Sequence, residues 1–205
     1  DQENDREAEI LELNGKIDEL EKRKDELKEQ LSFFDQMRGL LYEKGSPLED
    51  AVRLALKVLG FKAENFKDHE SEFDAIFTSP EGRFVGEVEG KDNKAINVDK
   101  VSQLERNVQE DFDKEGVEDF AQGVLFGNAF RLQNPNERES PFTTKAKQSA
   151  GRTGIALVDT VKLYRVVQYV LDTDDEKFSQ QCRRSLIECS GKEVQFPPIP
   201  QNEDH

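Results

Sequence analysis

Apolar positions recur in steps of three and four along the first part of the chain. Ile10, Leu13, Ile17, Leu20, Leu27, Leu31 and Phe34 share this spacing, and Lys24 falls in phase with them. The pattern is a heptad seam, with Ile10, Ile17, Lys24 and Leu31 at a positions and Leu13, Leu20, Leu27 and Phe34 at d. Isoleucine at a with leucine at d favours a parallel two-stranded coil, and a lysine at a disfavours larger assemblies. A single helix packed on its own domain, or an antiparallel partner, satisfies the same spacing. Residues 1–35 contain no proline and are dense in Glu, Asp and Lys, which read as the solvated faces of this helix. The coil is assigned to 1–44, because Gly45-Ser46-Pro47 breaks it and opens a new helix with Ser46 as N-cap and Pro47 in the first turn.

The segment 47–59 places Leu48, Val52, Ala55, Leu56 and Leu59 on one helical face, and Gly60 ends it. The period then changes. Phe61–Phe66 predicts a short strand, 72–78 alternates polar and apolar residues, and 83–91 reads as its hairpin partner across the turn Ser79-Pro80-Glu81-Gly82. A helix follows at 98–114 with Val101, Leu104, Val108 and Phe112 as its buried stripe. Strands are expected at 121–127 and 154–158, and a closing helix at 159–171. Residues 128–150 read as an irregular polar insertion. The order implies an α/β fold, a mixed sheet flanked by helices and preceded by the coiled-coil helix. The domain is placed at 45–195, with its core at 48–171, and the tail from Phe196, residues 196–205, is expected to be extended or disordered.

Composition changes this picture in three ways. Net charge is −15, which argues against a protein that coats polyanions generally, because such binding relies on Lys and Arg. Only two histidines and two cysteines are present. A histidine-based zinc site or a Ser-His-Asp triad is therefore poorly supplied, and Cys182 and Cys189 read as reduced thiols. No apolar run approaches the length of a membrane span and no signal-peptide pattern appears, so a cytoplasmic protein without membrane contact is expected. The chain starts at Asp1 inside a helical pattern, from which we expect a longer protein with upstream domains.

Side chains alternate faces along a strand, so Glu72, Asp74 and Ile76 share a face of the first hairpin arm, and Glu87, Glu89 and Lys91 share one on the second. If matching faces meet, Asp74 approaches Glu89 and Lys91 near the end of the sheet. Carboxylates converging there suit a hard divalent cation, Mg2+ or Mn2+, and repel one another without it. The adjacent lysine would orient a nucleophilic water or offset developing charge at phosphorus. The same alternation also describes an antiparallel hairpin with one solvated, charged face.

Asp74 followed by Glu89-Gly90-Lys91 on two adjacent strands resembles the D…(D/E)xK signature of the PD-(D/E)XK, or restriction-endonuclease-like, nuclease superfamily. The likeness runs over about residues 47–127, with 154–171 a looser continuation. It is nearest to Mrr-type restriction enzymes and archaeal Holliday junction resolvases, through Pro47-Leu48-Glu49 at one end of the first core helix and Leu59-Gly60-Phe61 at the other. The proline that usually precedes the first acid is replaced by Phe73. The resemblance implies a Mg2+-dependent nuclease, with Asp74 and Glu89 as metal ligands and Lys91 catalytic. It adds Glu49 as a further acid and Gln103, from the second core helix, as a polar contributor. Glu87 shares the face of Glu89, so either can serve as ligand. The expected substrate is nucleic acid, DNA in the first instance, held by locally basic residues: Arg131, Arg138, Lys145, Lys147 and Arg152. Weak affinity assisted by a homodimeric coil or other domains is expected of so acidic a chain. The alternatives are a catalytically silent module of the same fold that binds protein or nucleic acid, and a sensor or scaffold part of a multidomain system.

Overall fold

The proline-free, acid- and lysine-rich opening forms one long helix, α1 (Gln2–Tyr42). The computed structural model describes residues 2–64, 67–68, 71–72, 75–113 and 120–200. The chain divides into two units, 1–35 and 36–205. In the first, Ile10, Leu13, Ile17, Leu20, Leu27, Leu31 and Phe34 are all exposed, from 49% at Leu27 to 69% at Leu20. Its polar faces carry local ion pairs, Glu12–Lys16, Arg23–Glu26 and Asp25–Lys28.

The second unit begins inside α1, where Met37, Leu40 and Leu41 are buried. Helix α2 (Ser46–Val58) buries Leu48, Ala51, Val52, Ala55 and Leu56. Its N-cap is Gly45 rather than Ser46, and no side chain caps it; the Gly45 carbonyl instead accepts from the amides of Leu48 and Glu49. Pro47 occupies the first turn, where its missing N–H costs nothing. At the other end Gly60 adopts φ +89°, and the amides of Gly60 and Phe61 return to the carbonyls of Lys57 and Leu56. That Schellman-type closure needs a left-handed residue, which glycine supplies without a Cβ penalty.

The strands are β1 (Lys62–Glu64), β2 (Lys67–Asp68), β3 (Ser71–Glu72), β4 (Ala75–Ser79), β5 (Gly82–Gly90), β6 (Gln122–Asn128) and β7 (Ala156–Asp159). Five of them make an open mixed sheet in the order β1-β4-β5-β6-β7, and β2 and β3 form a separate antiparallel pair. β1 and β5 are both antiparallel to β4, whereas β5, β6 and β7 run parallel. The hairpin register sets Ala75 opposite Gly86 and Ser79 opposite Gly82. Parallel neighbours need crossovers, and helices supply them. α3 (Val98–Phe112) joins β5 to β6, and α4 (Thr144–Thr153) lies between β6 and β7. α5 (Thr160–Thr173) and α6 (Glu176–Glu188) complete six α-helices among the described residues.

Strand alternation divides the core between the two sheet faces. Val85, Leu125 and Leu157 pack with Val101, Leu104, Ala146 and Ala150 of α3 and α4. On the other face Phe77, Phe84 and Phe126 cluster with Phe61, with ring centroids 4.9–6.0 Å apart, beneath α2 and α5.

Several expectations are corrected. Phe112 does not complete the α3 stripe: it is 38% exposed and its ring meets Phe120 at 5.0 Å. Asp111 is buried instead, because the guanidinium of Arg83 pairs with both of its carboxylate oxygens, Nη2 to Oδ1 at 2.7 Å. Residues 128–150 are not irregular throughout. They hold a short 3-10 turn at Pro135–Glu137 and the start of α4, capped by Thr143 Oγ1 accepting from the amide of Ala146. α6, with Phe178, Cys182 and Leu186 as its buried stripe, is an element the sequence pattern did not predict. The expected final strand is shorter at its start, because Gly154 is the left-handed C-cap of α4. Residues 196–200 carry no regular structure, and 201–205 lie outside the described residues.

Candidate functional site

The site grows from the carboxyl end of β5. In open α/β sheets ligands commonly bind outside the carboxyl ends of parallel strands. Pairing of β5 with β6 ends at Gly90 opposite Asn128. Alternation turns Val85, Glu87 and Glu89 toward α3, and the apolar packing of Val85 gives way to acid within two residues. The side chains of Glu87 and Glu89 retain only 3% and 14% of their exposure. Two carboxylates this close and this buried need positive charge beside them.

Lysines provide it. The Lys91 ammonium pairs with Glu89 Oε1. Lys100, in the first turn of α3, lies 2.8 Å from Glu87 Oε1 and 3.2 Å from Glu89 Oε2. It also donates to Gln103 Oε1 at 3.1 Å. A lysine in a helix's first turn opposes the macrodipole. Burial pulls the Lys100 ammonium toward a lower pKa, but the hydrogen bonds and charges of Glu87 and Glu89 outweigh this and leave it above the usual lysine value.

These groups line a cleft of about 790 Å3 together with Glu49, from the first turn of α2, and the segment Lys44-Gly45. Gly90, Asp92, Asn93 and Lys94 line it as well. The middle residue of Glu89-Gly90-Lys91 is glycine for a local reason. A Cβ there would stand 2.5 Å from Lys44 Cβ and 2.8 Å from Lys44 Cα. The approach of residues 43–45 is then secured by polar contacts. Lys44 pairs with Asp92 at 3.1 Å, and Asn128 Nδ2 donates to the Glu43 carbonyl at 2.8 Å. Hydrogen bonds from Arg131 and Lys44 hold the Asp92 carboxyl below the usual range.

Of the expected site residues, Glu49, Glu87, Glu89, Lys91 and Gln103 all line this one cleft. Asp74 lies outside the described residues. Its neighbour Ala75 opens β4 opposite Gly86, the residue before Glu87. Among the described residues no group of three or more His, Cys, Asp or Glu is assembled to hold a metal ion. The donor set still suits Mg2+, which takes one or two carboxylates and keeps several waters. Glu87 and Glu89 offer such oxygens.

The basic residues expected to hold phosphate are elsewhere: Arg131, Arg138, Lys145, Lys147 and Arg152 are not among the lining residues. Arg131 binds Asp92 at 2.6 Å and donates to the Tyr42 carbonyl at 2.5 Å. Arg138 donates to the carbonyls of Leu41, Arg131 and Gln133. Both arginines thereby satisfy carbonyls at the C-terminal end of α1, which otherwise lack partners. Lys147 pairs with Glu193 at 3.2 Å, and Arg152 Nε reaches the Gln148 carbonyl within α4. Lys145 is exposed.

Lys100, Lys44 and Asp92 were not anticipated. For Lys100 a signal existed, namely a cation at an unfavourable helix start three residues before Gln103. For Lys44 and Asp92 nothing local marks the pairing.

No protein-family model matches the chain, and neither a curated protein nor a solved structure matches it. No helix among the described residues is long and apolar enough to cross a membrane.

Proposed function

We propose that the second unit is a restriction-endonuclease-like nuclease that hydrolyses phosphodiester bonds of nucleic acid, DNA in the first instance, with Mg2+ or Mn2+. The observation that carries this reading is the convergence of Glu49, Glu87, Glu89, Lys91 and Gln103 on one cleft at the carboxyl end of β5. Three separate segments, α2, the end of β5 and α3, supply a nuclease-like donor set, and each corresponds to an element of the family whose D…(D/E)xK pattern the chain resembles. The succession of α2, the β4–β5 hairpin, α3, β6 and β7 in a mixed sheet supports the same fold.

Glu89 and Asp74, with Glu87 as alternative or additional ligand, would hold the cation. The metal when bound supplies Lewis-acid polarisation of the phosphodiester and acidifies a water molecule. Lys91, paired with Glu89, would orient the attacking water or offset charge developing on the phosphoryl oxygens. Glu49, which lines the same cleft, would add negative charge, and Gln103 accepts a hydrogen bond from the Lys100 ammonium.

The test is incubation of the chain with Mg2+ or Mn2+ and supercoiled, linear double-stranded and single-stranded DNA and RNA. Cleavage of at least one form is expected, reduced on the order of a hundredfold or more in Asp74→Ala and Glu89→Gln. No cleavage of any form, or equal rates in the variants, would sink the nuclease reading. One observation favours a second reading, a catalytically silent binding module: Glu87 and Glu89 are already paired with Lys91 and Lys100 of the same cleft. Silence in every assay together with tight binding of nucleic acid or protein would select it.

A further inference from the structure

The contact between Lys100 and the acid pair points to a role beyond that of the residues named in the motif. Lys100 is anchored on α3, whose first turn is fixed by Asn97 Oδ1 accepting from the Asp99 amide at 3.1 Å. Its ammonium reaches both Glu87 and Glu89, at 2.8 and 3.2 Å. Those carboxylates come from alternate positions of one strand and would repel each other without an intervening cation. The ammonium is therefore the positive charge shared by the two carboxylates that would hold a divalent ion.

We propose that Lys100 is a built-in counter-cation of the metal site: it holds Glu87 and Glu89 together in the metal-free protein, yields Glu89 when the divalent ion enters, and then faces the anionic phosphodiester. It is a positioning residue toward the acids and a phosphate contact toward substrate. The inference rests on the metal-site reading above. Two consequences follow from electrostatics. Metal binding must displace one positive charge, so a neutral residue at 100 strengthens the binding of the ion. The metal-free protein must lose stability in the same variant, because Glu87 is buried and loses a charged partner.

Calorimetric titration of the whole chain with Mn2+, without nucleic acid, tests the idea in wild type, Lys100→Met and Lys100→Arg, each checked for folding by circular dichroism. The expected result is Mn2+ affinity about tenfold or more tighter in Lys100→Met, and near wild type in Lys100→Arg. Thermal melting should show a lower metal-free transition for Lys100→Met and a larger rise on adding Mn2+. If Lys100→Met does not fold without metal, Lys100→Gln, which keeps a polar contact to Glu87, replaces it. Equal or weaker Mn2+ affinity in the neutral variant overturns the counter-cation role while leaving the metal site standing. An absence of Mn2+ binding in wild type overturns the metal site itself, and this inference with it.

Discussion

Arg183 is a single side chain that ties three elements together. It is 5% exposed, donates Nη1 to the Leu59 carbonyl at 2.7 Å, and pairs with Glu81 at 2.9 Å and Glu176 at 3.1 Å. It thus joins α6 to the β4–β5 turn and to the end of α2. Burial acts to raise the pKa of the Glu81 carboxyl, but hydrogen bonds from Arg183 and Ser79 outweigh it and hold the group below the ordinary value of 4.5. A carboxyl whose folded pKa is depressed stabilises the fold above its unfolded pKa, and that contribution is lost as pH falls through the folded value. Urea denaturation of wild type from pH 6 downward should therefore show stability declining below about pH 4.5, in part through Glu81. Arg183→Met should cost about 3 kcal/mol at neutral pH, since it strands Glu81 and the Leu59 carbonyl, and should flatten that part of the acid slope. An unchanged slope in the variant would show that Glu81 does not carry it. Asp111 is likewise a buried carboxylate held by an arginine, Arg83. A heptad-like count put Phe112 inside, but Arg83 makes the carboxylate the better-satisfied buried group, and no pattern of apolar residues encodes a partner 28 positions away.

At the level of elements, the five strands of the main sheet and the large helices were legible because their apolar residues repeat at two or at three to four positions, whereas the β2–β3 pair was not. α4 was missed because its buried face consists of Ala146 and Ala150, too small to mark a period among Lys, Gln, Ser and Arg. α6 was missed because its stripe of Phe178, Cys182 and Leu186 is interleaved with charge, including the buried Arg183. The β5 end was legible in its chemistry, Glu87, Glu89 and Lys91 on one face, but the need for glycine between the last two was not. That need comes from the chain passing at Glu43-Lys44, whose carbonyl and Cα stand 3.1 and 2.8 Å from a Cβ at position 90. Gly90→Ala should push this backbone aside and cost about 1–3 kcal/mol, read as a lowered urea midpoint with unchanged m. A variant as stable as wild type would show that residues 43–45 yield freely and do not form a fixed wall of the cleft.

For the whole molecule, the apolar seam of α1 is exposed along its length. Its exposed ion pairs contribute about 0.3–0.5 kcal/mol each, against roughly 1–2 kcal/mol of backbone entropy per ordered residue. Burial of each seam Leu or Ile is worth about 1.5–3 kcal/mol, so association is the stronger source of stability. A second copy of the chain, joined as a two-stranded coil, is the partner this spacing favours. Sedimentation at micromolar concentration should give a dimer for wild type and a monomer for Leu20→Asp, with the thermal unfolding of residues 36–205 unaltered. A monomeric wild type would remove the homodimer from consideration. What the sequence alone determined was local: the heptad seam, the helix and strand periods, the turn at Pro80, and the alternation that lines Glu87 and Glu89 on one face. Each depends on neighbours within a few positions, where covalent geometry sets the direction of side chains. What only the tertiary structure decided was the company these residues keep. Lys100 reaches the acids because α3 crosses back over the sheet to bring β6 beside β5, and Lys44 meets Asp92 because the end of α1 lies against the end of β5. Arg131 and Arg138, which the sequence suggested for phosphate, donate to the carbonyls of Tyr42 and Leu41 at the end of α1, which the helix's own amides leave without partners.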